Sequence, residues 1–375
     1  ILDYMLLYKK YAPPIPLDNN KLGTVGEVEL NMPKIDFEAA NLHDLYKSDF
    51  KKYLDYNIRD TEIIRGLEQK HKLIQMACSL AYDGKFNFQD TFKQVRMWDV
   101  LTTNYLLEQK IVVPNPAQQE SRHFEGGYVK EPILGFHKNV ASFDLDSLYP
   151  HLLMQYNISP ETIIPRHEWT PEMESISSDI NTGSGIDRMV DSKVDLSYLQ
   201  GKSFGVAANG HFFSNKKMGF LPAMMREMYS SRSQIKKNMI SEKIRLESFT
   251  GTDEEREKIK TQIAQYNCLQ LAKKVCLNSA YGALGNQYFR FFDIRLATAI
   301  THSGQLSIKW VATRVNEYMN NLLKTDKDYI VAIDTDSIYL SLEDLVNKVQ
   351  PKGDVIEFMD KVCSTSIQKV ITNGY

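Results

Sequence analysis

Hydrophobic and polar positions alternate most sharply in YIVAIDTDSIYLSL, residues 329–342. Two runs of β-branched and aromatic residues flank Asp334-Thr335-Asp336-Ser337, which predicts a hairpin with carboxylates at its tip. Strand alternation sends Asp334 and Asp336 to one side and Thr335 to the other. Two carboxylates in one small volume raise each other's pKa, and a divalent cation is the usual means of keeping both ionised. An acidic turn with both side chains in water is the plainer reading of the same four residues. A second pattern, VASFDLDSLYPHLLM at 140–154, predicts a short strand ending at Asp144. A turn follows, then a helix with Ser147 near its start and Pro150 in its first turn. That places a candidate metal ligand beside the backbone amides of a helix N-terminus, an anion cradle. In the third, KKVCLNSAYGALGN at 273–286, Lys274, Asn278 and Tyr281 recur at i, i+4 and i+7 on one helical face.

Asp-x-x-Ser-Leu-Tyr-Pro, then Lys-x-x-x-Asn-Ser-x-Tyr-Gly, then Asp-Thr-Asp-Ser, in that order, is a specific combination. The three stretches resemble motifs A, B and C of the family B, or alpha-like, DNA polymerases. The surrounding wording, SFDLDSLYPHLLMQYNISPET and NSAYGALGNQYFRFFDIRLATAIT, is most similar to the replicative enzymes of T-even-type tailed phages. The resemblance implies a mixed α+β (α/β) chain with a right-hand polymerase fold. An antiparallel-sheet palm would carry helical-hairpin fingers, preceded by the end of an RNase H-like exonuclease domain. It implies the following organisation: 1–73, the C-terminal end of a 3′–5′ exonuclease domain; 74–115, an interdomain segment; 116–218, palm with motif A; 219–286, fingers with motif B; and 287–375, palm continued with motif C.

The resemblance also implies roles. Asp144 and Asp336 would be the catalytic carboxylates and hold two Mg²⁺ ions, replaceable by Mn²⁺, with the Leu145 carbonyl as a further ligand and Asp334 tuning the site. Ser147 and Leu148 amides, Arg232, Lys236 and Lys274 would meet the triphosphate. Tyr149 would stack under the sugar and exclude a 2′-hydroxyl, Asn278 would face the base, and Tyr281, Gly282, Gly126 and Gly127 would lie toward the template. Primer–template DNA and deoxynucleoside triphosphates are the implied ligands. A sliding clamp and a single-strand-binding protein are the partners implied for the longer protein, working in the cytoplasm of an infected bacterial cell. Three departures from the family pattern bear on fine geometry: Asp146 adds a carboxylate that alternation also turns toward the site, His151 stands where Ser is more familiar, and Ile333 stands where Gly often precedes Asp-Thr-Asp.

Composition narrows the field further. A chain of 375 residues with 43% hydrophobic content can bury a large core and has room for two or three domains. A net charge of −2 argues against wholesale nonspecific binding to nucleic acid, although a basic groove fits on a balanced protein. Cys78, Cys268, Cys276 and Cys363 form no C-x-x-C, and the histidines show no H-x-x-x-H, so zinc, iron–sulfur and disulfide chemistry are not indicated. No apolar run reaches the ~18 residues of a membrane span and no signal peptide is visible, so a soluble protein is expected. The chain opens on Ile1 within an amphipathic segment and is expected to be an internal piece of a longer protein, lacking a thumb.

In chain order, a Pro-rich break at Pro13, Pro14 and Pro16 precedes a predicted helix whose face repeats at Ile63, Ile64, Leu67 and Leu73. Tyr56 and Asp60 are four apart and so neighbours on that helix. They resemble the third proofreading motif, Tyr-x-x-x-Asp, where the Asp helps hold a metal and the Tyr positions water. The family's other exonuclease carboxylates have no counterpart here. One ligand cannot make a two-metal hydrolase, so this chain is expected to lack proofreading. Met97, Trp98 and Leu101 form a helical core pattern. His123 to Lys130, with its Gly126-Gly127 pair, reads as a turn or a close backbone approach. Residues 163–218, with SISSDINTGSGIDRMVDSK, have linker-like composition and predict a surface loop. Leu221, Met225, Met228 and Ile235 predict a helix to about 245, with Arg232 and Lys236 on its other side; a polar tip at 251–258 and a returning helix complete a hairpin. A long amphipathic helix after Gly285 should pack beneath the 329–342 hairpin, and a last helix is predicted from Val355 to Val370.

Three alternatives stand beside template-directed DNA synthesis. A protein-primed family B polymerase predicts a large insertion between motifs A and B, whereas residues 163–220 are mostly accounted for as a loop. A noncatalytic DNA-binding relic predicts loss of Asp144 or Asp336, and both are present. An RNA-making enzyme is disfavoured by the bulk of Tyr149.

Overall fold

The computed structural model describes residues 3–12, 15–115 and 123–373. Pro13, Pro14 and the predicted palm boundary at residue 116 lie outside the described residues. Two units divide the chain, residues 1–113 with 229–276 and residues 114–228 with 277–375.

The first unit is helical. Asp3 accepts hydrogen bonds from the Met5 and Leu6 amides and so starts α1 (Tyr4–Tyr11); α2 (Leu22–Leu30) follows. Asn41 and Asp49 cap α3 (Leu42–Ser48) and α4 (Phe50–His71) in the same way, through the Asp44 and Lys52 amides. Lys72 adopts a left-handed conformation, φ +55°, and stops α4. The predicted four-residue face therefore splits. Ile63 and Leu67 are buried on α4, Ile64 is 38% exposed, and Leu73 opens α5 (Leu73–Gly84) instead. In α6 (Gln94–Glu108) Met97 and Trp98 are sealed in the core as their spacing predicts. One buried charge sits among these helices. Glu29 accepts from the Tyr8 hydroxyl and from Lys70 Nζ, each at 2.5 Å, with His71 Nε2 3.2 Å away. A buried carboxylate is tolerable only with such partners.

The second unit is built on an antiparallel sheet of order β1-β5-β6-β2, where β1 is Val129–Lys130, β2 is Val140–Asp144, β5 is Ile330–Asp334 and β6 is Ser337–Ser341. The 329–342 pattern thus folds as the predicted hairpin. Alternation buries Ile338 and Leu340 and leaves Ser337 and Tyr339 on the other face. The helix α7 (Leu148–Gln155) follows β2 after a short turn. Two long helices, α10 (Phe220–Glu247) and α11 (Asp253–Leu284), are joined by residues 248–252, and the division between units falls within both. A reciprocal pair starts α11: the Thr252 hydroxyl accepts from the Glu255 amide while the Glu255 carboxylate accepts from the Thr252 amide. The long amphipathic helix is α12 (Ile294–Leu323), capped by Asp293. Ile308, Val311, Val315 and Met319 on it pack with Ile330, Ile333, Ile338 and Leu340 of the hairpin. Truncating any fully buried member to alanine would cost about 2–5 kcal/mol. The chain then runs through α13 (Glu343–Val349), α14 (Val355–Val362), a π-helical turn at Cys363–Ile367 and α15 (Gln368–Thr372), so the predicted closing helix is present with a bulge.

The linker-like reading of 163–218 is wrong. The segment folds into α8 (Pro171–Ile180), α9 (Gly185–Val190) and a two-stranded sheet of β3 (Phe204–Val206) and β4 (Phe212–Ser214). Met173, Ile176 and Ile180 sit at i, i+3 and i+7 and form a core with Val194, Val206 and Phe212. The Ser, Asp and Gly residues between them diluted that stripe in composition without breaking its spacing.

Candidate active site

Three carboxylates collect at one end of the sheet in the second unit. Asp144 ends β2 opposite Ser337, and Asp334 ends β5 opposite the same Ser337. Asp336 lies in the tip between β5 and β6, where its amide donates to the Asp334 carbonyl at 2.6 Å and its carbonyl accepts from the Leu145 amide at 2.9 Å. Ser337 Oγ donates to Asp144 Oδ2 at 3.4 Å. Alternation is not what brings the acids together, because Thr335 and Asp336 leave the strands. Thr335 is left-handed, φ +52°, an uncommon state for a β-branched residue. Its amide donates to the Tyr128 carbonyl at 2.9 Å and its hydroxyl to Asp334 at 3.0 Å, which hold the turn. Gly127 makes that possible: a Cβ there would stand 2.8 Å from the Thr335 side chain. Gly126 contributes its carbonyl, which accepts from Gln305 Nε2 at 2.7 Å.

The electrostatics follow from this crowding. Burial pushes the Asp336 carboxyl up, the Asp144 charge adds to the rise, and Asp334 contributes less. A hard cation would relieve that repulsion, and the carboxylate chemistry of Asp144 and Asp336 suits a divalent ion bound through oxygen. Among the described residues no three of His, Cys, Asp and Glu gather closely enough to hold a metal by themselves.

Beside the carboxylates, Ser147 stands at the N-cap of α7 with left-handed backbone, φ +53°, and donates its hydroxyl to Asp146 at 3.2 Å. Asp146 is exposed. Leu148 and Pro150 are buried in the first turn, and the His151 amide and ring both hydrogen-bond the Ser147 carbonyl. Tyr149 is packed against Tyr281, ring centroids 4.9 Å apart. Its hydroxyl is pushed up to about 12, chiefly by burial and then by Tyr281 and Asp336, so it stays protonated near neutrality. Asn278, Tyr281 and Gly282 lie in the last turns of α11. Lys274 shares the helical face of Asn278 and Tyr281 by spacing, and Arg232 and Lys236 are one turn apart on α10; these three cations belong to the first unit.

The first unit holds the Tyr56–Asp60 pair on α4. Lys34 unites them, 2.9 Å from Asp60 Oδ2 and donating to the Tyr56 hydroxyl at 2.6 Å. The other Asp60 oxygen, Oδ1, is buried with no hydrogen-bond partner. Lys34 lies in the connection between α2 and α3, and its loop, NMPKIDFEA, has no periodicity that could have marked it.

The sequence profile described as DNA polymerase family B matches residues 89–368, well over half of the chain. The chain belongs to that family. A DNA-directed DNA polymerase of Escherichia phage RB69 is 29% identical over 422 residues, covering 100% of this chain and 44% of the relative. Its counterpart from Enterobacteria phage T4 is 28% identical over 417 residues, with the same two coverages. DNA polymerase 1 of Pyrococcus abyssi is 25% identical over 337 residues, 84% of this chain and 36% of the relative. This family B chain therefore spans less than half the length of the relatives it matches. Its helix-rich architecture with a small antiparallel sheet agrees with the fold expected for a family B polymerase. Among the described residues no helix is long and apolar enough to cross a membrane.

Proposed function

We propose that this chain carries the catalytic core of a template-directed DNA polymerase that transfers deoxynucleotides to a primer 3′-hydroxyl during viral DNA replication in a bacterial host. The observation that carries the reading is the meeting of Asp144 and Asp336 at one sheet end beside the half-buried phenol of Tyr149. Asp144, Asp336 and the Leu145 carbonyl would hold Mg²⁺, as two ions for which Mn²⁺ could substitute, and Asp334 would adjust their field. The chemistry such ions would supply when bound is activation of the attacking 3′-oxygen and neutralisation of charge on the leaving pyrophosphate.

The residues of the chain do the rest. Arg232 grips phosphate oxygens bidentately, Lys236 and Lys274 act as point charges, and the Ser147 and Leu148 amides add donors at the start of α7. Tyr149 lies under the sugar and opposes a 2′-hydroxyl, Asn278 faces the base, and Tyr281 and Gly282, with Gly126 and Gly127, border the template side. Residues 116–218 and 287–375 act as palm, 219–286 as fingers, 74–115 as the joint, and 1–73 as the end of an exonuclease domain. There Tyr56, Asp60 and Lys34 are the remainder of a proofreading site. A sliding clamp and a single-strand-binding protein serve the longer protein.

Titration of the chain with a deoxynucleoside triphosphate in Mg²⁺ tests the reading. Binding should require Mg²⁺ and fall on the order of a hundredfold in Asp336→Asn and in a Lys236→Ala, Lys274→Ala double variant. Unchanged binding in either folded variant rejects the assignment.

A further inference from the structure

Tyr149 does not stand alone in the second unit. It is the middle of a run of close contacts, Phe124 edge-on to Tyr281 at 6.2 Å, Tyr281 against Tyr149 at 4.9 Å, and Tyr149 against the backbone of α12 at Gly304. Both ends of the run are glycines in or next to helices. A Cβ on Gly304 would lie 2.9 Å from Cε1 of Tyr149, and a Cβ on Gly285 would lie 2.7 Å from Cζ of Phe124. Real Cβ contacts are not that short, so any side chain at either position displaces a ring. Glycine inside a helix such as α12 is disfavoured relative to alanine, and Gly304 is buried where alanine would otherwise serve. Gly304 thus runs against helix propensity, and the space beside it is filled by the Tyr149 ring.

Resting on the reading of Tyr149 as the residue under the sugar, we infer that Gly304 is a positioning residue that sets how deep the Tyr149 ring sits, and so sets the sugar selectivity of the nucleotide pocket. The ring is wedged on one side by Tyr281, so a methyl group at 304 cannot be absorbed by a simple rotation toward it. The ring must rise away from α12, off the core and into the space a sugar would use. Gly285 works through two more rings and has the weaker grip.

The test compares dATP and ATP binding to the chain in Mg²⁺ for Gly304→Ala, Tyr149→Ala and the double variant, with thermal melts of each. Tyr149→Ala should relax the preference for the deoxy sugar. Gly304→Ala should weaken dATP binding about tenfold and ATP binding by a different factor, so that the sugar preference changes, and it should shift the ¹⁹F resonance of 3-fluorotyrosine at 149. In the Tyr149→Ala background, Gly304→Ala should change binding less than twofold, because no ring remains to be lifted. Should Gly304→Ala melt too low to assay, removing the ring must restore its melting temperature. An unchanged sugar preference in Tyr149→Ala overturns the underlying reading of the pocket. A normal preference in Gly304→Ala, an effect of that size persisting without the ring, or a melt the double variant does not rescue, overturns the role of Gly304 alone.

Discussion

Asp60 in the first unit and Asp336 in the second are both partly buried carboxylates, and their surroundings are opposite. Asp60 has an ammonium at 2.9 Å, and the Lys34 that supplies it also takes up the Tyr56 hydroxyl. Burial pulls Lys34 down, yet its hydrogen bonds to Tyr56 and Asp60 outweigh that and hold its pKa above the ordinary lysine value. Asp336 has two more carboxylates for neighbours, and its own carboxyl is raised. The first unit supplies the cation its acids need from its own sequence. At the sheet end of the second unit Asp144 and Asp334 instead add to the negative charge around Asp336, surroundings in which an added cation would gain the most free energy.

The comparison breaks first at Glu29, the extreme case of an internally matched acid, whose side chain is wholly inaccessible. Burial alone would raise its carboxyl, but hydrogen bonds from Lys70 and Tyr8 and the His71 charge overcome this and hold it below the usual range. Lys70→Met should destabilise the first unit by about 3 kcal/mol, read from urea unfolding. The sign of the pH dependence follows. A depressed carboxyl stabilises the fold above its unfolded value of about 4.3, and that contribution is lost as pH falls through the lower folded value. Glu29→Gln should therefore flatten the acid limb of a stability–pH profile below about pH 4.3 and leave its shape near neutrality unchanged. An unaltered acid limb would show that Glu29 is not protonated on unfolding.

The next effect is the metal response. Mg²⁺ at about 100 times its Kd should add about 2.7 kcal/mol to the stability of the second unit. Asp336→Asn should abolish that gain, while in metal-free buffer the same variant should melt no lower than the parent, since it removes a repulsive charge. A metal-free variant that melts markedly lower would mean the Asp336 carboxylate is matched within the fold after all.

How far these sites could be read from sequence differs for the same reason. Asp144, Asp334 and Asp336 were legible because strand patterning ends where the acids begin, and β2, β5 and β6 fall where that patterning places them. The way they meet was not legible: the left-handed turn at Thr335 is held by the Tyr128 carbonyl and seated on Gly127, just before β1 and some two hundred residues away in the chain. Lys34 carried no signal at all, since a loop lysine acquires its partner only through the packing of α2 and α4. Residues 163–218 misled because composition was weighed over the spacing of Met173, Ile176 and Ile180.

The smallest predicted effect is the most direct exchange between the two surroundings. Lys34→Met would leave Asp60 without its ammonium, with Oδ1 already buried and unbonded. The pair is about a quarter exposed, so water recovers part of the loss, and the expected cost is about 1–2 kcal/mol rather than the larger figure for a fully buried pair. Methionine keeps the length and the apolar stem of lysine, which isolates the charge from the packing. The lost ammonium should also make Asp60 behave like Asp336, so that Mn²⁺ raises the melting temperature of Lys34→Met more than that of the parent. Asp60→Asn in the same background should erase the added response while leaving the Mg²⁺ response of the second unit intact. If Lys34→Met loses stability but gains no metal response, one carboxylate freed of its cation is not enough to draw an ion. The difference between the two sites would then lie in the number of acids gathered at Asp336, not in the cation that Lys34 supplies to Asp60.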